Sequence, residues 1–311
     1  MQQLNRMISV AGLLISLSGA TTAQQVADTS FIPASVEMTY RPGRGPLVLL
    51  DEAHNNFHTV DGRYLAFAAV LRRDGFVVEP LVESFSEESL AEASVLVIAN
   101  AISEVNVDNW VLPTPSAFTD EEIESVFNWV EQGGSLLLLA DHMPFPGAAA
   151  KLGERFGFEF LNGYAYENDS LLRGGGPIFF RTDVGTLKDH AVIRGRTPDE
   201  SVSSVATFTG QAFRVPESAH SIFVFREGSV SLQPDTAWVF SDETLRTDVS
   251  GWSQGAVLEV GEGRIAVFGE AAMFSAQVQG PNRRPMGMNR PDASENMQFL
   301  LNVMHWLART D

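Results

Sequence analysis

The chain contains no cysteine. Disulfides, thiolate metal ligands and a cysteine nucleophile are therefore excluded together. Bases are also scarce: 21 Lys and Arg stand against 39 Asp and Glu, a formal charge of -18. Such a surface repels phosphate backbones and anionic lipid, so neither nucleic acid nor a charged membrane is an expected partner. Beyond the N-terminal segment, no run is long and apolar enough to cross a bilayer. Several catalytic fingerprints are missing as well. There is no G-x-S-x-G elbow to present a serine nucleophile. Neither G-x-x-x-x-G-K-[ST] nor G-x-G-x-x-G occurs, so Gly174-Gly175-Gly176 reads as a flexible loop rather than a phosphate cradle. His54 and His58 are four apart but lack the glutamate of the H-E-x-x-H zinc helix.

What is present begins with an export pattern. Arg6 supplies a positive n-region, Met7 to Leu17 a short apolar h-region, and Thr21-Thr22-Ala23 a small residue before Gln24. Residues 1–23 therefore read as a signal peptide, with an uncleaved anchor as the alternative. The expectation is a periplasmic or secreted protein with no membrane span after signal cleavage. The roughly 288 residues that follow can build a large core without covalent staples.

Residues 24–45 form a polar N-terminal arm, and residues 46–311 a single α/β domain with a β- and loop-rich insertion at about 158–250. In that domain Leu47 to Leu50, Phe76 to Leu81, Val95 to Ala99 and Ser135 to Ala140 are apolar strand runs. Helices are expected between them, over Asp61 to Asp74 (Leu65, Ala68, Ala69 and Arg72 on one face), Ser86 to Ala93 and Ala148 to Phe156. The clearest helix opens at Thr119, with Glu122 completing a capping box, and ends at Gly133-Gly134. Its stripe is Ile123, Val126, Phe127 and Val130. Alternation of strand and helix predicts a mostly parallel sheet with helices on both faces. Later strands are expected at 158–161, 177–180, 205–208, 221–225 and 238–240, and a hairpin at 256–268 around Gly261-Glu262-Gly263. Residues 276–294 read as a loop, followed by a helix from about Ser294 to Ala308.

Three apolar strands run straight into ionisable clusters. Leu47-Val48-Leu49-Leu50 is followed by Asp51-Glu52-Ala53-His54 and His58. Leu136 to Leu139 is followed by Asp141-His142, and Ile265 to Phe268 by Gly269-Glu270. Ligands of open α/β sheets bind outside the carboxyl ends of parallel strands, so these clusters predict one shared site.

The segments Val48 to His54, Phe127 to His142 and Gly261 to Glu270 carry a resemblance that covers roughly residues 46–308. Their order resembles the flavodoxin-like, class I glutamine-amidotransferase-like fold. More narrowly it looks like exported DUF4350-type proteins, similar in layout to ThuA-like proteins. The resemblance implies an amidotransferase-like sheet, but Asp141-His142 stands where those enzymes carry their cysteine, so glutaminase activity is not implied.

Imidazoles and carboxylates in one cluster suit a divalent metal such as zinc. On that reading His54, His58, Asp141 and His142 are metal ligands. Asp51, Glu52, Asp141, His142 and Glu270 are the catalytic set, with metal-bound water as nucleophile. For each residue a plainer role is available. Asp51 caps a turn, Glu52 is solvated, His54 and His58 bond within their loop, and Glu270 caps the Ala271 turn. Met143-Pro144-Phe145-Pro146-Gly147 is a stiff segment that holds His142 toward a ligand or into the core. His190, with Arg194 and Arg196, either closes over the site or belongs to a structural loop. The leading expectation is a metal-assisted hydrolase acting on a small or carbohydrate-like substrate. The alternative is a non-catalytic ligand-binding or assembly module on the same fold.

Overall fold

The structure is a computed structural model that describes residues 25–34, 37–167 and 176–310. The expected signal peptide and Gly174-Gly175 lie outside the described residues. The first half runs β1 (Gln25–Ala27), β2 (Leu47–Asp51), α1 (Leu65–Asp74), β3 (Val77–Leu81), α2 (Glu87–Leu90), β4 (Val95–Ala99), α3 (Asp120–Glu131), β5 (Ser135–Leu139) and α4 (Phe145–Arg155). The second half adds β6 (Glu159–Phe160), β7 (Tyr164–Tyr166), β8 (Ile178–Arg181), α5 (Ala191–Arg194), β9 (Ser204–Thr207) and β10 (Phe213–Arg214). It continues with β11 (His220–Val224), β12 (Val230–Gln233), β13 (Leu245–Asp248), β14 (Ser253–Val260) and β15 (Gly263–Phe268). It closes with β16 (Ala276–Gln279), β17 (Arg284–Gly287) and α6 (Asn296–Leu307).

Runs such as Val95 to Ala99 and Ser135 to Leu139 are buried at every residue, as strands covered on both faces must be. They form a nine-stranded mixed sheet in the order β3-β2-β4-β5-β15-β14-β10-β6, with β11 also on β14. Pairing is parallel from β3 through β2, β4 and β5 to β15. Beyond β15 it is antiparallel. The expected mostly parallel sheet is thus half antiparallel. The cause is local: Gly261-Glu262 joins β14 and β15 as a tight hairpin, and a hairpin partner can only be antiparallel.

Successive side chains of the parallel strands enter two separate apolar clusters. Val48, Leu50, Val95, Val97, Leu137 and Leu139 pack with residues of α1 and α6. Leu49, Leu96, Ile98, Leu136 and Leu138 pack with residues of α3 and α4. Each fully buried Leu, Val or Phe contributes about 1.5–3 kcal/mol, so these two faces carry most of the stabilisation.

Thr119 and Glu122 form the expected capping box on α3, and Ile123, Val126 and Val130 are buried. Phe127 is only half-buried and lies under the Arg155 guanidinium. The face expected for α1 is wrong except at Ala68: the helix buries Ala66, Phe67, Val70 and Leu71, the two i, i+4 rows turned toward the sheet. Residues 276–294 are not a plain loop, because β16 and β17 pair as a hairpin and β1 of the N-terminal arm joins them. Trp238 to Phe240 is not a strand. Trp238 has a left-handed φ of 65°, and all three residues are exposed.

Candidate functional site

Parallel pairing puts the ends of β2, β4, β5 and β15 on one edge of the sheet, and with them Asp51, Asn100, Asp141 and Glu270. The link between neighbours is direct at one place: the Asp141 N–H donates to Asn100 Oδ1 at 2.9 Å. Asn100 takes a left-handed φ of 54° to make this turn. Two hollows of the surface lie elsewhere. The larger, about 680 Å³, is bounded by Ser94, Trp129, Gly134 and Arg309, at the opposite ends of β4 and β5. The smaller, about 270 Å³, adjoins Arg196, His305 and Trp306. We place the candidate site at the carboxyl edge because the ionisable groups converge there.

The β2 cluster is saturated by its own contacts. Asp51 is fully buried; its Oδ1 accepts from the Ala53 N–H and from His54 Nδ1 at 2.8 Å, and its Oδ2 from Asn56 Nδ2. His54 Nε2 donates to Glu122 Oε1 at 2.9 Å. The same carboxylate accepts from the Phe85 N–H and from the Thr119 N–H and hydroxyl. His54 is therefore clamped between two carboxylates and packed against Phe85 and Phe118. Burial alone would lower its pKa, but the hydrogen bonds and charges of Asp51 and Glu122 raise it. Glu52 Oε1 accepts the Val60 N–H at 2.7 Å and so ties the loop after β2. Asp51 and Glu52, expected in the catalytic set, are both hydrogen-bonded within or next to the loop after β2.

Asp141 and Glu270 are both buried. Glu270 Oε1 and Oε2 accept the Ala272 and Met273 N–H groups, each at 2.8 Å, which caps the short turn after β15. Burial and the charge of Asp141 raise its pKa well above the usual carboxylate range, against the pull of those N–H groups. The chain at Gly210 lies directly over it, since a Cβ there would fall 3.0 Å from Glu270 Cβ. Asp141 Oδ1 accepts the N–H of His142 at 2.8 Å.

His142 stands apart from this buried group. Its Nδ1 donates to the Met143 carbonyl at 2.8 Å, and the ring is half-exposed. It stacks on Tyr164 at 4.7 Å and meets Trp238 edge-on at 4.6 Å. Trp110 and Phe145 lie 6.1 and 5.9 Å away. Two loops hold this aromatic wall together. The Ala237 N–H donates to the Trp110 carbonyl, the Leu112 N–H to the Asp235 carbonyl, and Val111 bridges Thr236. Buried Asn106 shapes the first loop by donating to the carbonyls of Asn109 and Val111. The sequence does not point to these aromatic residues, because Trp110 and Trp238 reach His142 from loops that pair only in the folded chain.

Of the residues expected to hold zinc, His54 has both nitrogens taken by carboxylates, and His142 donates Nδ1–H to a carbonyl, which leaves only its Nε2 open. His58 turns Nδ1 to Asn100, 3.3 Å away, and burial pushes its pKa down to about 3. Among the described residues, no group of three or more His, Asp or Glu is arranged to hold a metal ion. His190 caps α5 and packs on Trp306, remote from this edge, so it does not close over the site. His220 is exposed, with Nε2 against the Asp189 carbonyl.

No family model matches the chain, and no curated protein matches it. Solved structures do. The mmIFT52 N-terminal domain is 15% identical and superposes with a TM-score of 0.58, over 84% of this chain and 97% of that one. A ThuA-like protein from Bacteroides uniformis ATCC 8492 is 11% identical, with a TM-score of 0.47 over 89% of this chain and 95% of its own. A ThuA-like protein from Parabacteroides merdae ATCC 43184 is 13% identical, with a TM-score of 0.46 over 86% and 91%. The first likeness shows a shared mixed α/β fold; none bears on activity.

Proposed function

We propose that this protein is a ligand-binding module on an amidotransferase-like, flavodoxin-like fold with helices on both faces, and that it binds a small carbohydrate-like ligand. The two core clusters, one with α1 and α6 and one with α3 and α4, support that fold reading. One observation carries the function. Asp51, Glu52, His54 and Glu270 are occupied in capping and bridging, while Trp238, 48% exposed, meets half-exposed His142 edge-on and Phe240, 39% exposed, packs on Tyr164. Exposed aromatic faces next to a polar ring suit a ligand with apolar C–H faces and hydroxyls. Export is part of the proposal and rests on the pattern of Arg6, Met7 to Leu17 and Ala23.

A hydrolytic reading keeps one support, the Glu270 carboxyl, whose pKa is raised well above the usual range by burial and by the charge of Asp141. Titrating the mature chain with oligosaccharides while following tryptophan emission separates the two. Saturable binding without release of reducing ends is expected, weakened about tenfold by Trp238→Ala with the fold intact. Release of reducing ends that disappears in Asp141→Asn would establish catalysis instead.

A further inference from the structure

Arg63 is a cation without an ion-pair partner among the described residues, in a chain where acids outnumber bases 39 to 21. Other arginines sit against a carboxylate, for example Arg155 with Glu124 and Arg196 with Glu200. Arg63 is half-buried, its Nη1 donates to the Phe57 carbonyl at 3.1 Å, and its guanidinium lies 3.6 Å above the Phe57 ring. Its Nε–H is buried and has no partner. Burial lowers its pKa. A buried donor on a charged group left without a partner is costly, so the arrangement asks for an acceptor.

A second orphan lies beside it. His58 is 2% exposed, and its Nε2 also has no partner. The proton on that ring can be located. Asn100 Oδ1 already accepts the Asp141 N–H, so Asn100 turns its Nδ2 toward His58. His58 Nδ1 is then the acceptor, and Nε2 carries the hydrogen. The neighbourhood therefore holds two buried donors with nothing to donate to, one of them cationic. The Phe57 ring under Arg63 touches Trp110 at 5.7 Å and Phe145 at 5.6 Å, the rings that flank His142. The cation thus borders the aromatic wall.

We propose that Arg63, with the His58 Nε2–H, is a subsite for a carboxylate on the bound ligand, so that the carbohydrate recognised is an acidic one, of the uronic acid class. This rests on the ligand-binding reading above and adds the charge of the ligand to it. A guanidinium presents parallel N–H donors that match the two oxygens of a carboxylate, and stacking on Phe57 holds the fork in place. The chain's overall negative charge works against anions at long range. Selectivity must therefore arise from this local pair rather than from the general field.

The test uses glucuronate and its neutral amide, glucuronamide, titrated into the mature chain at constant ionic strength with tryptophan emission as readout. The parent should bind glucuronate roughly tenfold more tightly than the amide, the scale of one charge-assisted contact. Arg63→Gln should bring glucuronate down to the amide's affinity and leave the amide unchanged. Arg63→Lys should keep part of the preference. Circular dichroism of each variant confirms that the fold is retained. Equal binding of the two sugars by the parent, or a preference that survives Arg63→Gln, would overturn the subsite and leave the ligand-binding reading standing. Absence of any response to either sugar at 100-fold excess over a weak millimolar Kd (about -4 kcal/mol) would reject both.

Discussion

At the scale of single residues, Asp51, His54 and Glu270 tie the elements of the carboxyl edge together through hydrogen bonds. His54 joins the end of β2 to the N-terminus of α3 through Asp51 and Glu122. Burial would raise the Glu122 pKa, but the Thr119 N–H, His54 and the Thr119 hydroxyl hold it down to about 2. Its stabilising effect is therefore full above its ordinary value of 4.5 and is lost as pH falls toward about 2. His54 runs the other way: its pKa is raised, so its contribution is full below 6.5 and is lost as pH rises through the folded value. The bridge is strongest between those limits. Glu122→Gln should cost about 1–2 kcal/mol at pH 5.5 and flatten the stability curve on the acid side, measured by urea unfolding across pH. An unchanged acid limb would show that Glu122 is not its source. The pattern T-x-x-E was legible as a cap, but its second partner, His54, was not, because 68 residues separate it from Glu122.

At the scale of elements, the edge is closed by loops that cross at close quarters. Gly210 has a φ of 90°, and a Cβ there would sit 2.1 Å from the Gly269 carbonyl oxygen. The neighbouring Gln211 N–H donates to that same carbonyl, and Gln211 Nε2 donates to the Ala140 carbonyl at 2.9 Å. The segment therefore locks the ends of β5 and β15 and seals Glu270 from water. Gly210→Ala should destabilise by about 2–3 kcal/mol, because backbone strain and a clash with main chain act together. Gly185→Ala is the comparison: its φ is 72° but a Cβ would meet nothing within 4 Å, so only strain of about 1 kcal/mol is expected. Thermal melts of the two variants check this, and equal losses would show that the crossing at Gly210 is looser than described. The β14–β15 hairpin was readable from Gly261-Glu262-Gly263, since turn chemistry is local. The failure of Trp238 to Phe240 as a strand was not, because β-propensity reflects an apolar neighbour that these residues do not have.

At the scale of the whole molecule, one nine-stranded sheet is shared by two apolar clusters, and the antiparallel part is joined to the parallel part through β15. Neither half of the sheet can be removed without exposing the buried face of the other. Urea unfolding followed by far-ultraviolet circular dichroism and by tryptophan emission should therefore give coincident transitions. Two separated midpoints would mean that the later strands unfold on their own. By itself the sequence determined the apolar strand runs, the capping box of α3, the glycine stop after it and the common edge for Asp51, Asp141 and Glu270. Each of these depends on residues close in the chain or on parallel pairing of buried strands. Only the tertiary structure decided which of those side chains stay free. His54 meets Glu122, Gly210 covers Glu270, and the Trp110 carbonyl meets the Ala237 N–H, all between segments distant in the chain. Whether a carboxylate reacts or merely caps depends on burial and on hydrogen-bond partners, and long-range packing supplies both.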